Sequence, residues 1–319
     1  MSLASLTRWG LTLALLLALT ACQDPTGEIF TPAGLLERYN TMWSWPAAHR
    51  GKCAAGVPEN TLAAIDSCEE RRIALIELDL RVSADGVVFL MHDADVERTT
   101  DGELRFPGRT SVDELTAGEL RSLVIDDPLC HAAASALPRR CRVPTLAEAL
   151  ASTRESVLLL DYKGGSLEAI AATLEAGHPD SRRTIFLDSS LATLREMQVR
   201  LPELQLMPRA ANVPETEAFL TSGLSFSWLH GDTGWLGAMR ETFAELEVRP
   251  YANVFDLDVG ISLAAETLSE EEYEAFLEET IRPTLMDYRE LGLVGFGTES
   301  PATIDRLLNG HGGFGCCPL

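Results

Sequence analysis

Two carboxylates separated by one residue lie in an apolar stretch near the start of the chain. The run ALIELDL places Glu77 and Asp79 two residues apart in a segment typical of a β-strand. Side chains two apart leave a strand on the same face, so both carboxylates share one small volume. Buried carboxylates without a partner repel each other and become protonated, so this pair requires a cation. That cation is either a metal ion or an arginine or lysine side chain.

Histidines and further charged groups end other apolar runs. VVFLMH ends in His92, and SVLLLDY includes Asp161, with Lys163 two residues later on the same face. His49 and Arg50 follow the run SWPAA. In a barrel of parallel strands, the carboxyl ends of the strands form the mouth at which catalytic residues gather. We therefore expect these side chains to meet the carboxylate pair there.

The combined set of groups is suited to metal-assisted cleavage of a phosphodiester. The carboxylate oxygens favour a hard divalent ion, Ca²⁺ or Mg²⁺. Arg50 and Lys163 suit an anionic ligand, most naturally a phosphate. His49 and His92 can divide the proton transfers, one accepting a proton from the attacking hydroxyl and the other donating one to the leaving alkoxide.

Six short motifs follow one another between residues 49 and 102, and two more occur later. In order and spacing, the set resembles the glycerophosphodiester phosphodiesterase family, over roughly residues 43 to 309. The motifs are His49–Gly51, Pro58–Thr61, Ile76–Asp79, Asp85–Gly86, His92–Asp93, Arg98–Gly102, Pro144–Leu146 and Thr298–Pro301.

The resemblance implies a (β/α)8 TIM barrel of the phospholipase C-like type. It implies a divalent ion held by Glu77 and Asp79, with His49 and His92 as the acid/base pair and Arg50 on the phosphate. The implied reaction is hydrolysis of a glycerophosphodiester to glycerol phosphate and an alcohol.

Four further positions take a meaning from the resemblance. Glu59 and Asn60 are expected to order the loop after the first strand and to lie within reach of substrate or metal. The family's third metal ligand is a glutamate in a Glu-x-Lys motif, and this chain has Asp161 there, one methylene shorter, before Lys163.

Two other hypotheses stay open. The chain is alternatively a lyase of the sphingomyelinase D or phosphatidylinositol-cleaving kind, which releases a cyclic product. It is otherwise a binding protein tethered to a surface, with the fold but without turnover. Intact His49 and His92 argue against a binding protein.

Arg209 and His230 are further candidates for the mouth. Arg209 ends an apolar run and is a candidate phosphate contact. For His230, which follows a run containing Trp228, a place at the mouth is the less favoured alternative to a structural one.

Nine apolar runs from Trp43 onward alternate with helix-like segments, which is typical of a parallel sheet covered on both faces. Eight units predict a (β/α)8 barrel over residues 43–319, with VVFLMH counted as an extension of the second unit. The predicted helices are Glu59–Arg72, Gly165–Ala176, Leu191–Leu201, Pro214–Thr221, Leu236–Leu246 and Ser269–Leu291.

One long segment departs from this alternation. Residues 93–142, rich in proline and glycine, predict an insertion after the second strand unit, with a small helix at Ser111–Leu120. Loops at this end of a barrel carry function.

The net charge of −22 excludes a polyanionic partner over most of the surface, so no nucleic acid is expected. No protein partner is predicted either. The expected partner is a small glycerophosphodiester substrate.

Residues 1–21 read as a lipoprotein-type export signal, with Cys22 as the acylated first residue and residues 22–42 as a tether. These features predict a protein anchored by lipid to a membrane of the bacterial cell envelope. An ordinary signal peptide with a chance cysteine is the alternative.

Six cysteines remain after Cys22, and disulfides are plausible in an oxidising compartment. Cys130 and Cys141 flank a short segment of the insertion and are the first expected pair. A zinc site is the competing interpretation, but no paired CxxC or HxxxH spacing supports it. The cysteines left unassigned are Cys53, Cys68, Cys316 and Cys317.

Overall fold

The computed structural model describes residues 45–131, 139–177 and 183–309. The predicted export signal, Cys22, the tether, Cys316 and Cys317 lie outside these residues. Within the described ranges, no helix has both the length and the apolar character needed to cross a membrane.

Eight parallel strands form a nearly closed barrel, as the alternation of runs predicted. The strands are β1 (Trp45–Ala48), β2 (Leu75–Val82), β4 (Val157–Tyr162), β5 (Thr184–Asp188), β6 (Gln205–Pro208), β7 (Trp228–Gly231), β8 (Arg249–Asn253) and β9 (Gly295–Thr298). Their spatial order is β6, β5, β4, β2, β1, β9, β8, β7. Between β6 and β7, the backbone N–H of Ala210 donates to the carbonyl of His230 (2.9 Å).

The barrel has one apolar core inside and another between its wall and the helices. Alternate residues of each strand face opposite sides, so Leu78 and Leu80 pack outward while Leu75 packs inward. The inner core holds Trp45 and Trp228, whose ring centroids lie 5.4 Å apart. Side chains that continue the inward series toward the carboxyl ends therefore collect above this core.

The remaining strand, β3 (Val88–Leu90), pairs antiparallel with β2, with Leu80 opposite Leu90. β2 rises above the mouth, the chain turns at residues 83–87, and β3 returns toward the barrel. The backbone N–H of Met91 then donates to the carbonyl of Asp79 (3.0 Å). The predicted extension of the second unit is confirmed. Because β3 runs antiparallel to β2, the chain approaches the mouth from above, and His92 follows β3 there.

Helices follow the strands, and side-chain caps fix several of their starts. The Thr61 hydroxyl accepts from the N–H of Ala64, and Thr145 forms a capping box with Glu148. The main helices are α1 (Leu62–Glu70), α2 (Gly102–Arg105), α3 (Ala117–Ser122), α4 (Pro128–His131), α5 (Leu146–Ser152), α6 (Leu167–Gly177), α7 (Leu191–Arg200), α8 (Val213–Leu220), α9 (Thr233–Leu236), α10 (Arg240–Glu245), α11 (Phe255–Thr267), α12 (Glu270–Phe276), α13 (Arg282–Glu290) and α14 (Pro301–Asn309).

One long predicted helix is confirmed and another is wrong in continuity. The predicted helix Ser269–Leu291 is helical from Glu270 to Glu290. It contains one wider, π-helical turn at Leu277–Ile281, because Pro283 near the start of α13 has no N–H to continue the α-helical pattern. The predicted helix Leu236–Leu246 is divided into α9, a short 3₁₀ turn and α10.

The insertion packs a small core of its own against β3. The members of this core are Phe89, Met91, Val96, Val112, Leu115, Leu120, Leu123 and Val143. Its small helix forms later than expected, at α3. The expected disulfide Cys130–Cys141 is present, and Cys53 pairs with Cys68. Because all four described cysteines are bonded in this way, they form no zinc site.

A buried carboxylate fixes the start of β4. Glu69, near the end of α1, accepts hydrogen bonds from the backbone N–H groups of Arg154 (3.1 Å), Glu155 (3.1 Å) and Ser156 (3.0 Å). These residues lead directly into β4, whose far end carries Asp161. The position of that carboxylate at the mouth therefore depends partly on Glu69 at the opposite end of the strand.

Replacing Glu69 by alanine is expected to lower the free energy of unfolding by about 2–4 kcal/mol, since several backbone donors lose a charged acceptor. Glu70→Ala, the exposed neighbour in the same helix, is the matched control and is expected to change stability by about 0.5 kcal/mol or less. Chemical denaturation of both variants measures the difference. Equal stabilities would contradict this account of β4.

Candidate functional site

Three buried carboxylates converge at the mouth of the barrel. Glu77 and Asp79 on β2 face inward, and Asp79 lies opposite Asp161 of β4 in the parallel ladder. Each residue is no more than 5% exposed, and one ligand oxygen from each lies within 4.8 Å of the others. The structure thus brings together all three residues that the sequence suggested as metal ligands.

Cationic side chains neutralise part of this cluster. The Lys163 ammonium lies 2.7 Å from Asp161 Oδ2 and 3.3 Å from Asp79 Oδ1, and the Arg209 guanidinium donates to Asp161 Oδ2 at 2.6 Å. Burial raises the pKa of Asp161, but Arg209 and Lys163 outweigh burial, so the pKa is lower than usual. Asp161 is therefore ionised at neutral pH.

Glu77 has a different environment. The backbone N–H of Arg50 donates to Glu77 Oε2 at 2.7 Å, and within the described part of the chain no basic side chain forms an ion pair with this carboxylate. Burial, together with the charges of Asp79 and Asp161, raises its pKa well above the usual value. The charge of Glu77 is thus the least compensated of the three.

The donor set fits a hard divalent ion. Asp161 Oδ1 is buried and has no hydrogen-bond partner among the described residues, while its other oxygen is held by Lys163 and Arg209. An unpartnered carboxylate oxygen beside the under-compensated Glu77 suits Mg²⁺ or Ca²⁺, which prefer oxygen ligands. The alternative to a metal ion, ion pairs with lysine and arginine side chains, is also present. These ion pairs neutralise Asp161 and Asp79 but not Glu77.

A tight loop places Arg50 above the carboxylates. Arg50 and Asn60 both have left-handed backbones, with φ of 53° and 55°. The amide of Asn60 donates to Asp79 Oδ2 (2.8 Å) and accepts from the Asp79 backbone N–H (3.0 Å). Gly51 allows α1 to approach, because a Cβ there would lie 2.9 Å from that of Ala64. Asn60 therefore clips this loop onto β2.

A chain of charged hydrogen bonds joins Arg50 to His92. The Glu59 carboxylate accepts from Arg50 (3.0 Å) and Arg98 (2.6 Å), and Arg98 also donates to Asp93 (2.5 Å). Asp93 Oδ1 in turn lies 2.7 Å from His92 Nδ1. Since an ionised carboxylate only accepts, Nδ1 carries the proton and Nε2 of His92 is left to act elsewhere.

Arg81 holds the backbone of His92 near the lysine. Its Nε donates to the carbonyl of His92 (3.0 Å), and its Nη1 donates to that of Lys163 (3.0 Å). Neither the sequence motifs nor their spacing singled out Arg81. Its position on β2, two residues beyond Asp79, is the signal that marks it as a residue at the mouth.

His49 lies on the opposite side of Arg50, at the end of β1. Its ring packs against Phe255, with centroids 4.4 Å apart, and its Nδ1 lies 3.5 Å from Glu299. Burial and the charge of Arg50 lower the pKa of His49 to about 4, despite Asp79 and Glu299. His49 is therefore a neutral imidazole at pH 7. Glu299 belongs to the late motif Thr298–Pro301, which was matched without a role.

His230 and Arg209 occupy the β6–β7 side of the mouth, so the less favoured alternative for His230 is the observed one. His230 is buried, and its ring centroid lies 5.2 Å from that of Tyr251. Burial and the nearby Arg209 lower its pKa to about 4. Trp228, two residues before His230 on the same face of β7, belongs to the inner core.

A cavity opens on the other side, between the insertion and the barrel. Part of its wall comes from the loop at residues 58–61 and part from the end of β3, where His92 borders it. Its apolar lining consists of Pro58, Leu90, Met91, Ile125, Val143 and Pro144. The insertion thus forms one wall of the space beside His92.

The fold is that of a (β/α)8 barrel with a charged, carboxylate-lined mouth. Residues 49–213 match the model of the Glycerophosphoryl diester phosphodiesterase family. Because this match covers more than half of the 319 residues, the chain belongs to that family.

Named relatives also match parts of the chain. Glycerophosphodiester phosphodiesterase 1 of Bos taurus is 39% identical over 127 residues, which are 39% of this chain and 35% of the relative. Glycerophosphodiester phosphodiesterase of Bacillus subtilis is 29% identical over 192 residues, covering 54% of this chain and 62% of the relative. The chain therefore spans less than two thirds of the length of either relative.

Solved structures share the fold over most of the chain. A glycerophosphoryl diester phosphodiesterase from Parabacteroides distasonis has a TM-score of 0.64 and 19% identity, covering 89% of this chain and 93% of that one. An Oleispira antarctica phosphodiesterase, solved in complex with the product sn-glycerol-3-phosphate, has a TM-score of 0.62 and 18% identity, covering 85% and 99%. At these identities the likeness shows the fold.

Two histidines with lowered pKa values, the half-buried His49 and the buried His230, make the fold sensitive to acid. Unfolded histidine binds a proton near pH 6.5, whereas His49 and His230 do so only near pH 4. Below pH 6.5 the unfolded state therefore binds more protons, and the free energy of unfolding falls as pH falls toward 4. Above pH 6.5 both histidines are neutral in the folded and the unfolded state, so the stability that is lost at lower pH is fully present.

Proton NMR of the metal-free protein is expected to give titration midpoints near pH 4 for both rings. His230→Gln is expected to reduce the slope of stability against pH between 6.5 and 4, because the glutamine does not titrate. Midpoints near pH 6.5 in the folded protein would contradict the burial of these imidazoles.

Proposed function

We propose that this chain hydrolyses glycerophosphodiesters to glycerol phosphate and an alcohol. The observation that carries the proposal is the convergence of Glu77, Asp79 and Asp161 within 4.8 Å of one another. Arg50 and Lys163 border this cluster and can bind the anionic phosphate. Family membership and the names of the relatives support the same substrate class.

We propose Glu77, Asp79 and Asp161 as the ligands of Ca²⁺ or Mg²⁺, although Asp161 is shorter than the glutamate expected there. An ion bound to them would offset charge that develops on the phosphoryl oxygens. Lys163 and Arg209 hold Asp161 Oδ2 and leave Oδ1 without a partner, so the carboxylate is orientated with one oxygen toward the cluster.

His49 and His92 are proposed to transfer the protons. His49 is neutral and can accept the proton of the glycerol hydroxyl as that hydroxyl attacks phosphorus. The bond from phosphorus to the second alcohol breaks, and His92, orientated by Asp93 and protonated on both ring nitrogens, donates its Nε2 proton to the leaving alkoxide. The attack gives a cyclic phosphate. Water then opens it to glycerol phosphate, with His92 accepting a proton from the water and His49 returning its proton to the glycerol oxygen.

Arg50 and its neighbours are proposed to hold the phosphate. Arg50 is anchored by Glu59, and Glu59 by Arg98, so the guanidinium is fixed before substrate arrives. Asn60 orders the same loop through Asp79. A preorganised cation loses little conformational freedom on binding, which favours the charge distribution of the transition state.

Turnover of glycerophosphocholine is expected to cease in chelator and to return with Ca²⁺ or Mg²⁺, for the protein from Asp24 onward. His49→Ala and His92→Ala are each expected to lower kcat about 100-fold or more, the usual worth of a positioned acid or base. Exposed Glu203, at the opposite end of the barrel, provides the control variant Glu203→Gln, which is expected to keep full activity.

Four outcomes separate the parts of the proposal. Turnover unaffected by chelator would contradict the metal, and a fully active His49→Ala would contradict the acid/base assignment. Release of cyclic phosphate as the final product would favour the lyase. A wild-type protein that turns over no substrate, with metal present, would leave the binding-protein hypothesis.

We also propose that the mature chain is anchored by lipid at Cys22 in a bacterial cell envelope, with residues 23–42 as a tether. Labelled palmitate is expected to be incorporated by the full chain expressed in bacteria, and by none of the Cys22→Ser variant. The variant should also leave the membrane fraction. Equal labelling of both chains would contradict acylation at this cysteine.

A further inference from the structure

His230 is a buried histidine whose hydrogen-bonding groups are not used within the protein. It lies on the inner face of β7 and is 8% exposed. Neither ring nitrogen makes a hydrogen bond of normal distance and angle in the part of the chain that the structure describes, although the side chain of Asn253 lies close enough to raise the pKa of the ring. Buried polar groups in native proteins are nearly always paired, and leaving one unpaired is costly. Two unpaired nitrogens on one ring therefore call for a ligand.

The neighbours of His230 place that ligand at the mouth. Arg209 is paired with His230 across the gap between β6 and β7, and its guanidinium reaches Asp161. The side chain of Arg209 is 34% exposed, and only one of its nitrogens is used in that contact. The His230 ring also packs on Tyr251. His230 thus stands beside a cation that can still bind an anion.

A glycine on the adjoining strand preserves space for this side of the mouth. At Gly297 of β9, a Cβ would lie 2.1 Å from Asn253 Oδ1 and 2.5 Å from the Tyr251 hydroxyl. Any larger residue would push both polar groups of β8 aside. Because β9 has no side chain at this position, the polar groups of Tyr251 and Asn253 can remain near His230.

The chemistry of these groups identifies the class of ligand. A neutral imidazole, as the lowered pKa of His230 indicates, offers one donor and one acceptor. That pattern complements a hydroxyl group, which also donates and accepts, whereas the phosphate group of a diester carries no proton at neutral pH and only accepts. Arg209 complements the phosphate. A ligand that satisfies both residues is a phosphate ester with a free hydroxyl close to phosphorus.

We infer that His230 and Arg209 form a polyol phosphate subsite that binds the glycerol half of the diester. This inference rests on the proposed function and adds the orientation of the substrate. With glycerol on the β6–β8 side, the second alcohol points toward the cavity beside His92. His230 is then a determinant of specificity for the glycerol hydroxyls.

The structure offers a weaker alternative, a histidine kept only for packing. A packing histidine normally satisfies at least one ring nitrogen with a protein partner. Its removal would change stability without changing which ligand is preferred. The preference between two ligands therefore separates the two roles.

The test compares two ligands, sn-glycerol 3-phosphate and inorganic phosphate, by titration calorimetry with Mg²⁺ or Ca²⁺ present. Wild-type protein is expected to bind the glycerol ester more tightly. His230→Phe is expected to weaken the ester about tenfold, as for one or two lost hydrogen bonds, and to change phosphate affinity about twofold or less. His230→Gln, whose amide also donates and accepts, should restore much of the preference.

Arg209→Leu serves as the matched variant on the phosphate side and is expected to weaken both ligands by a similar factor. Thermal melting of each variant verifies that the barrel is folded. The inference is overturned if folded His230→Phe keeps the wild-type preference, if it loses both ligands equally, or if wild-type protein shows no preference.

Turnover of glycerophosphocholine, measured on the same samples, keeps this inference separate from the proposed function. An inactive wild-type protein that prefers the glycerol ester would contradict hydrolysis and support the subsite. If the wild-type protein is active but His230→Phe keeps the same preference for the glycerol ester, only the subsite is contradicted. In an active enzyme, His230→Phe is expected to raise KM for glycerophosphocholine by a larger factor than it lowers kcat.

Discussion

Confinement of three carboxylates in one buried volume is the constraint on which the site depends. Glu77, Asp79 and Asp161 repel each other, and burial removes the water that would screen them. Lys163 and Arg209 offset part of this charge, and both act on Asp161. The remaining excess lies at Glu77. In the absence of an ion, a proton on Glu77 relieves that excess, and the proposed divalent cation would take the place of that proton.

The barrel makes this confinement possible through register. Because β2 and β4 pair directly, the inward residues of both strands reach the same height. The hairpin to β3 returns His92 to that height, and the insertion then ties Asp93 and Arg98 to Glu59. Parts of the chain far apart in sequence are thereby locked around one centre before any ligand binds.

Much of this arrangement could be predicted from the sequence, because strand periodicity is local. The two-residue spacing of Glu77 and Asp79, and the apolar runs around them, were enough to place both on one face. The barrel followed from the alternation of runs and helices. Helix α11 was missed because it exposes Val259 and Leu263 while burying other apolar residues, so it lacks a single apolar face.

What could not be predicted depends on contacts between distant strands. The hold of Arg209 on Asp161 and the unpaired ring of His230 arise from barrel closure, which no local pattern encodes. The direction of β3 was likewise decided by its pairing with β2 and by the turn between them.

Anomalous diffraction from crystals soaked in Mn²⁺ tests the central claim most directly. Manganese prefers the same oxygen ligands as Mg²⁺ and scatters strongly enough to be located without ambiguity. The expected result is one dominant peak within bonding distance of Glu77, Asp79 and Asp161. No peak there at saturating Mn²⁺, or a peak bound elsewhere with this cluster empty, would contradict the account.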